Sequence, residues 1–211
     1  MLLERRIVGR MQNFTYLVGD PQTKEAAIVD PSFDASVPVS LARTLGYEVT
    51  HVFNTHEHFD HVQDDAVARK LTGAKVVAHE AADIDEKDVS VRDGEIVRVG
   101  SLDVKALHCP GHTPGSTSWL VHDPAGVGHV FTGDVLFVGN CGRCDLPGSD
   151  PAAMWNTLHN VLGKLPDETV VLPGHDYGPT PQSTIGHEKR TNYTMARMTQ
   201  SEFVRFVLSP G

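Results

Sequence analysis

The chain has 211 residues, of which 40% are hydrophobic, and a formal net charge of −9 with a pI near 5.7. That length fits one sizeable domain or one domain with a short appendage, and the acidic balance argues against a nucleic-acid groove, which needs clustered Lys and Arg. The opening MLLERRIVGR lacks the apolar run of a signal peptide, no stretch approaches a membrane span, and three cysteines leave an odd number, so a reducing cytoplasm is expected.

Taken in order, short β-like runs alternate with amphipathic helical ones. Strands are expected at 13–19, 26–30, 49–55, 75–79, 95–100, 102–108, 116–122, 128–134 and 169–174, and helices over 34–45, 61–72, 151–163 and 184–208, the last with a break or bend. The charged stretch 80–94 reads as a solvated loop, and residues from about 184 to 211 as a short helical tail on a single domain spanning 1–211. Strands alternating with helices predict an α/β sandwich, because sheet faces need helical cover.

Several polar residues fall where an apolar strand stops. In NTHEHFDH (54–61), His56 and His58 are two apart, so in extended chain they point the same way. Asp60 and His61 lead into a helical stretch, where Asp60 is expected to satisfy free backbone N–H groups as well. His112 follows the strand ending at His108, Asp134 ends VFTGD, and His175 follows VVLPG. Loops at strand ends on a rigid sheet are where active-site groups collect. Five imidazoles and two carboxylates suit zinc, iron or manganese, and they are too many for one tetrahedral ion but right for two ions sharing a bridging carboxylate and water.

THEHFDH resembles the THxHxDH signature of the metallo-β-lactamase fold superfamily, and the later GHT, GD and GH elements follow in that family's order across nearly the whole chain. The resemblance implies a four-layer αββα sandwich. It implies one metal on His56, His58 and His112, a second on Asp60, His61 and His175, and Asp134 between them; Asp60 and Asp134 are the candidate catalytic carboxylates. Two zinc ions are expected, with iron or manganese as alternatives. The bridging aspartate is more similar to the glyoxalase II branch, which implies thioester or ester hydrolysis by a metal-bound hydroxide on a small substrate such as a glutathione-like thiol conjugate. A thiolate leaves without a strong acid, since free thiols have a pKa of about 8.5.

Two features depart from what the glyoxalase II resemblance implies. Only 36 residues follow His175, and the loop after Asp134 pairs Arg143 with Asp145 where an aromatic is usual. The C-G-R-x-D pattern is similar to that of persulfide dioxygenases, which would use His56, His112 and Asp134 around a single Fe(II). Other two-metal esterases or lactonases and a non-catalytic metal-binding module stay open, as does a homodimer. Arg143 is the candidate substrate-docking residue, for an acidic group. The CGRC run (141–144) reads as loop packing before dithiol chemistry. Glu57 reads as a solvated or supporting residue, and His79, which ends a strand, is the least ordinary of the remaining histidines.

Overall fold

The computed structural model describes residues 1–85, 87–196 and 198–209. The expected 80–94 loop, 184–208 helical run and tail to 211 therefore include Glu86, Arg197, Pro210 and Gly211, which lie outside the described residues.

Strands β1 (Leu2–Val8), β2 (Asn13–Gly19), β3 (Glu25–Val29), β4 (Glu48–Phe53), β5 (Lys75–His79) and β6 (Val89–Val91) form one sheet in sequence order. The second sheet runs β14 (Ser183–Thr184), β13 (Val170–Pro173), β10 (Gly128–Gly133), β9 (Thr117–His122), β8 (Leu102–His108) and β7 (Ile96–Val99). A small hairpin, β11 (Leu136–Phe137) and β12 (Asn140–Cys141), stands apart. Helices are α1 (Ser36–Leu45), α2 (Phe59–Val62), α3 (Asp65–Thr72), α4 (Pro151–Asn156), α5 (Ile185–Thr191) and α6 (Gln200–Val207).

Three apolar layers explain the stacking. Phe14, Tyr16, Val18, Phe53 and Val77 of the first sheet meet Val104, Trp119, Val121, Phe131 and Leu172 of the second. Leu17 and Ile28, on the other face of the first sheet, pack under Val39 and Ala42 of α1 and Ala68 of α3. Leu120, Val130 and Val171 are covered by Met154 of α4, Ile185 of α5 and Phe203 of α6. Strand β2 is buried at every position because alternate residues serve the two layers. The architecture is the α/β sandwich that the element order predicts, in the αββα form that the family resemblance implies. Among the described residues no helix is long and apolar enough to cross a membrane.

The departures from expectation have local causes. β1 is an edge strand that carries Glu4, Arg5 and Arg6, so its charge hides its pairing with β2. The 80–94 segment, read as loop, contains β6, which adds three residues to the free edge of β5. The helix expected over 61–72 is cut in two because Ser32 inserts: its N–H takes the His61 carbonyl at 3.1 Å and its carbonyl takes the Asp64 N–H at 3.1 Å. The expected break within 184–208 falls at Asn192, a position the sequence reading did not give, and the helix restarts on a Thr199/Glu202 capping box.

Parallel pairing positions the later groups. β10 and β13 run side by side in register, Phe131 opposite Leu172, so the residues after both strands emerge together. β3 and β4 are likewise parallel and end beside each other. The two sheets are tied at this edge by the Phe14 N–H on the Gly174 carbonyl, at 2.8 Å.

Candidate metal centre

All seven candidates meet at that edge, in three overlapping sets: His56, His58 and His112; Asp60, His61 and His175; and His56, His61 and Asp134. His58 Nδ1 lies 3.1 Å from His56 Nε2 and 2.9 Å from His112 Nε2. His61 Nε2 lies 3.2 Å from His175 Nε2, and each is 3.4 Å from Asp60 Oδ2. Asp134 stands between the sets, with Oδ1 3.4 Å from His61 Nε2 and Oδ2 3.4 Å from His175 Nε2 and 3.7 Å from His112 Nε2.

The outer nitrogens are fixed by neighbours, which turns the inner lone pairs toward one another. His112 donates through Nδ1 to the Arg143 carbonyl and His175 to the Met11 carbonyl, both at 2.9 Å. His61 Nδ1 faces Asp30 Oδ2 at 2.9 Å. Thr55 Oγ1 donates to Asp30 Oδ2 at 2.6 Å and so presents its lone pair to His56 Nδ1 at 3.1 Å. Such partners fix both tautomer and ring orientation.

This arrangement fits metal ions. Asp134 Oδ1 is buried with no hydrogen-bond partner, and its imidazole neighbours at 3.4 Å are beyond a good hydrogen bond. Ligands each about 2.1 Å from one ion lie about 3.0–3.4 Å apart, which is the spacing of these groups. Gly174 and Gly142 let the backbone close in: a Cβ at Gly174 would stand 2.5 Å from Asp134 Oδ1, and one at Gly142 would collide with the Asp134 carbonyl and crowd His112.

Electrostatics point the same way. Burial, reinforced by the His61 charge, holds His56 well below the usual histidine value. Burial would also lower His175, but Asp134 and Asp60 outweigh it and raise it to about 9. His61 is held well above its usual value by Asp134 and Asp30 against its own burial. Asp60 falls to about 2 despite burial, because His175, His61 and Asn13 favour its charged form. Without a metal, protons supply positive charge where a cation belongs.

One expectation is corrected. Asp60 does not cap its helix; the carboxylate accepts from Asn13 Nδ2 at 2.9 Å, because Asn13 reaches across from β2. Of the two readings of Glu57, solvated or supporting, the structure matches the second: half-buried, it accepts from Thr113 Oγ1 at 2.7 Å and ties the 54–58 loop to the turn carrying His112. His79 stacks on His108, ring centroids 3.8 Å apart, away from the cluster. Cys141 and Cys144 are free, buried and part of the core under α4. Arg143 does line the hollow beside the cluster, a cavity of about 500 Å³ walled by Met11, Phe59, Phe137, Leu146 and Tyr177. Its guanidinium is forked on Asp145, at 2.9 and 2.8 Å.

A model of the metallo-β-lactamase superfamily matches residues 8–175. The chain belongs to the metallo-β-lactamase superfamily. It is similar to a hydroxyacylglutathione hydrolase of Polaromonas sp. JS666, 38% identical over 84% of this chain and 67% of that one. It is also similar to the human mitochondrial persulfide dioxygenase ETHE1, 31% identical over 92% of this chain and 75% of that one. Among solved metallo-β-lactamase folds, ETHE1 from Myxococcus xanthus superposes with a TM-score of 0.90 at 36% identity, covering 98% of this chain and 90% of that one.

Sequence reasoning missed Asp30, Thr55 and Asn13. Asp30 is 2% exposed, sits at φ 49° just past β3, and accepts from Thr55 N at 2.8 Å as well as meeting Thr55 Oγ1 and His61. It therefore orients groups of both triads at once. Asp30→Ala should weaken metal binding by about 10- to 100-fold. Chelator competition on the folded variant measures this; wild-type affinity would show that Asp30 does not orient the cluster.

Proposed function

We propose that the protein is a metal-dependent hydrolase of thioesters, of the hydroxyacyl-thiol kind for which its hydrolase relatives are named, built as one domain with a C-terminal helical tail. The observation that supports this reading is Asp134, one carboxylate facing imidazoles of two separate triads. His56, His58 and His112 would hold one ion and Asp60, His61 and His175 the other. Two such cations polarise a carbonyl oxygen and acidify water at neutral pH.

The chain's own groups supply the rest. The carbonyls of Arg143 and Met11 keep the His112 and His175 Nε2 lone pairs aimed inward. Met11, Phe59, Phe137 and Leu146 give the hollow apolar walls that receive the acyl and thiol bodies and displace water. Apart from the cluster and the Tyr177 phenol, the described lining offers no titratable acid. A departing thiolate, with a pKa of about 8.5, needs none, whereas an amine leaving group would.

Arg143 is the docking cation for an acidic part of the substrate, and Asp145 competes with it for that role. Arg143→Ala should raise KM for a carboxylate-bearing thioester several-fold and Asp145→Asn should lower it, since an exposed, solvent-screened pair is weak enough for a substrate carboxylate to displace. Steady-state kinetics at two salt concentrations checks this; identical KM values in both variants would remove Arg143 from the substrate.

A second reading, persulfide dioxygenase with one Fe(II) on His56, His112 and Asp134, is favoured by the Arg143-x-Asp145 pair and by the likeness to ETHE1 along nearly the whole chain. Metal analysis of protein purified without added ions, with two assays, separates them. About two metal ions per chain with hydrolysis of S-lactoylglutathione supports the hydrolase. One iron per chain with oxygen consumption on glutathione persulfide overturns it in favour of the dioxygenase.

A further inference from the structure

Helix α5 carries a carboxylate that no surface helix needs. Glu188 is 0% exposed, and among the described residues no cation pairs with it. Its Oε2 accepts from the Gly139 N–H at 2.8 Å and from Asn192 Nδ2 at 2.9 Å, while Oε1 has no hydrogen-bond partner. Asn192, buried one turn later, also reaches the Asn140 carbonyl at 3.0 Å and the Phe137 carbonyl at 3.4 Å. Tyr193 adds its hydroxyl to Asn140 Oδ1 at 2.7 Å. Apart from the Glu188–Asn192 link, every one of these bonds ends on the β11–β12 hairpin.

That hairpin has two rungs, Leu136 opposite Cys141 and Phe137 opposite Asn140, with Gly139 at φ 82° in its turn. So short a ribbon does not hold its own shape. Yet it shapes the hollow. Phe137 packs edge-on to His175 and Tyr177, with ring centroids 6.0 and 5.6 Å away. Just past Cys141, Gly142 presses on Asp134 and His112, and the Arg143 carbonyl takes the His112 Nδ1–H. Burying a carboxylate without a cation is costly, and an apolar side chain would fill the space more cheaply. A specific task accounts for its presence.

We infer that Glu188 and Asn192 are positioning residues: a buried clamp from the C-terminal helices that sets the β11–β12 hairpin, and through it the pocket wall at Phe137 and the carbonyl behind His112. The kinetic part of this inference rests on the thioesterase reading; the structural part does not.

The test compares Glu188→Leu, Glu188→Gln and Tyr193→Phe in the full chain by thiol labelling, resolved cysteine by cysteine with mass spectrometry. Cys141 and Cys144 lie at the hairpin's exit, and Cys109 is a buried thiol at the end of β8. In Glu188→Leu, Cys141 and Cys144 should label on the order of 10- to 100-fold faster while Cys109 keeps its rate. KM for the thioester should rise more than kcat falls. Glu188→Gln keeps an acceptor for both donors and should restore labelling and KM to within about twofold of wild type. Tyr193→Phe, at an exposed tyrosine, gives a smaller change of the same pattern and serves if the leucine variant does not accumulate. Wild-type labelling in both disruptive variants, or equal acceleration at all three cysteines, overturns the clamp. Absence of thioester turnover in the wild type overturns the hydrolase reading and leaves the labelling result to decide the clamp.

Discussion

Asp134→Ala is expected to lower turnover by a factor on the order of a thousand or more while leaving a folded protein. Among the described carboxylates it is the one that faces imidazoles of both triads, at 3.4 Å from His61 and His175 and 3.7 Å from His112. Removing it leaves no shared anion between two clusters of lone pairs. Its backbone role is small: the residue lies just past β10, and the strand's own pairing with β9 and β13 does not use its side chain. In the metal-free state the carboxylate is held ionised well below its usual pKa, burial opposing and His61 and His175 prevailing. Deleting it also withdraws the charge that keeps protons on those two rings. Retained circular dichroism and melting cooperativity, together with lost turnover and fewer than two bound ions, is the expected result. A folded variant with undiminished activity would show that the reaction takes place elsewhere.

The sequence discloses the centre more fully than its supports. His56 to His61 sit in one loop, and His112, Asp134 and His175 each follow an apolar strand and stand beside a glycine, so type, spacing and position coincide. Asp30 gives no such signal, because the aspartate of IVDP reads as an ordinary turn residue 31 positions from His61. Asn13 reads as the first residue of an apolar strand, yet it holds Asp60 from 47 positions away. Only the parallel β3–β4 pair and the junction of the two sheets bring these residues home. The helices show the same limit. The pattern over 61–72 carries a true periodicity, and Ser32, remote in sequence, decides where it breaks. Glu188 lies in IGHEKRT, whose charges look solvated, and its burial follows from the hairpin folded against it.

Metal affinity should climb steeply with pH, and the sign follows from the charges at the centre. His175 is raised to about 9 and His61 is raised as well, so near neutral pH the metal-free protein carries protons on both. A raised histidine pKa stabilises the folded metal-free chain below its unfolded value of about 6.5, and that contribution is lost as pH rises through the folded value. A cation bound by Nε2 must displace each proton, so binding near pH 7 should release about two protons per chain. Apparent affinity then rises up to about 100-fold per pH unit until His175 titrates near 9, where the dependence weakens. Asp60, at about 2, stays ionised throughout and adds no slope in this range. Correspondingly, the rise in melting temperature on adding zinc to chelator-treated protein should be larger at pH 8.5 than at pH 6.5, because free binding energy appears as folding stability. Titration in weakly buffered solution counts the protons directly. Equal affinity at both pH values, with no acid released, would mean that cations do not bind among His61, His175 and Asp134, and the centre assigned here would lose its second ion.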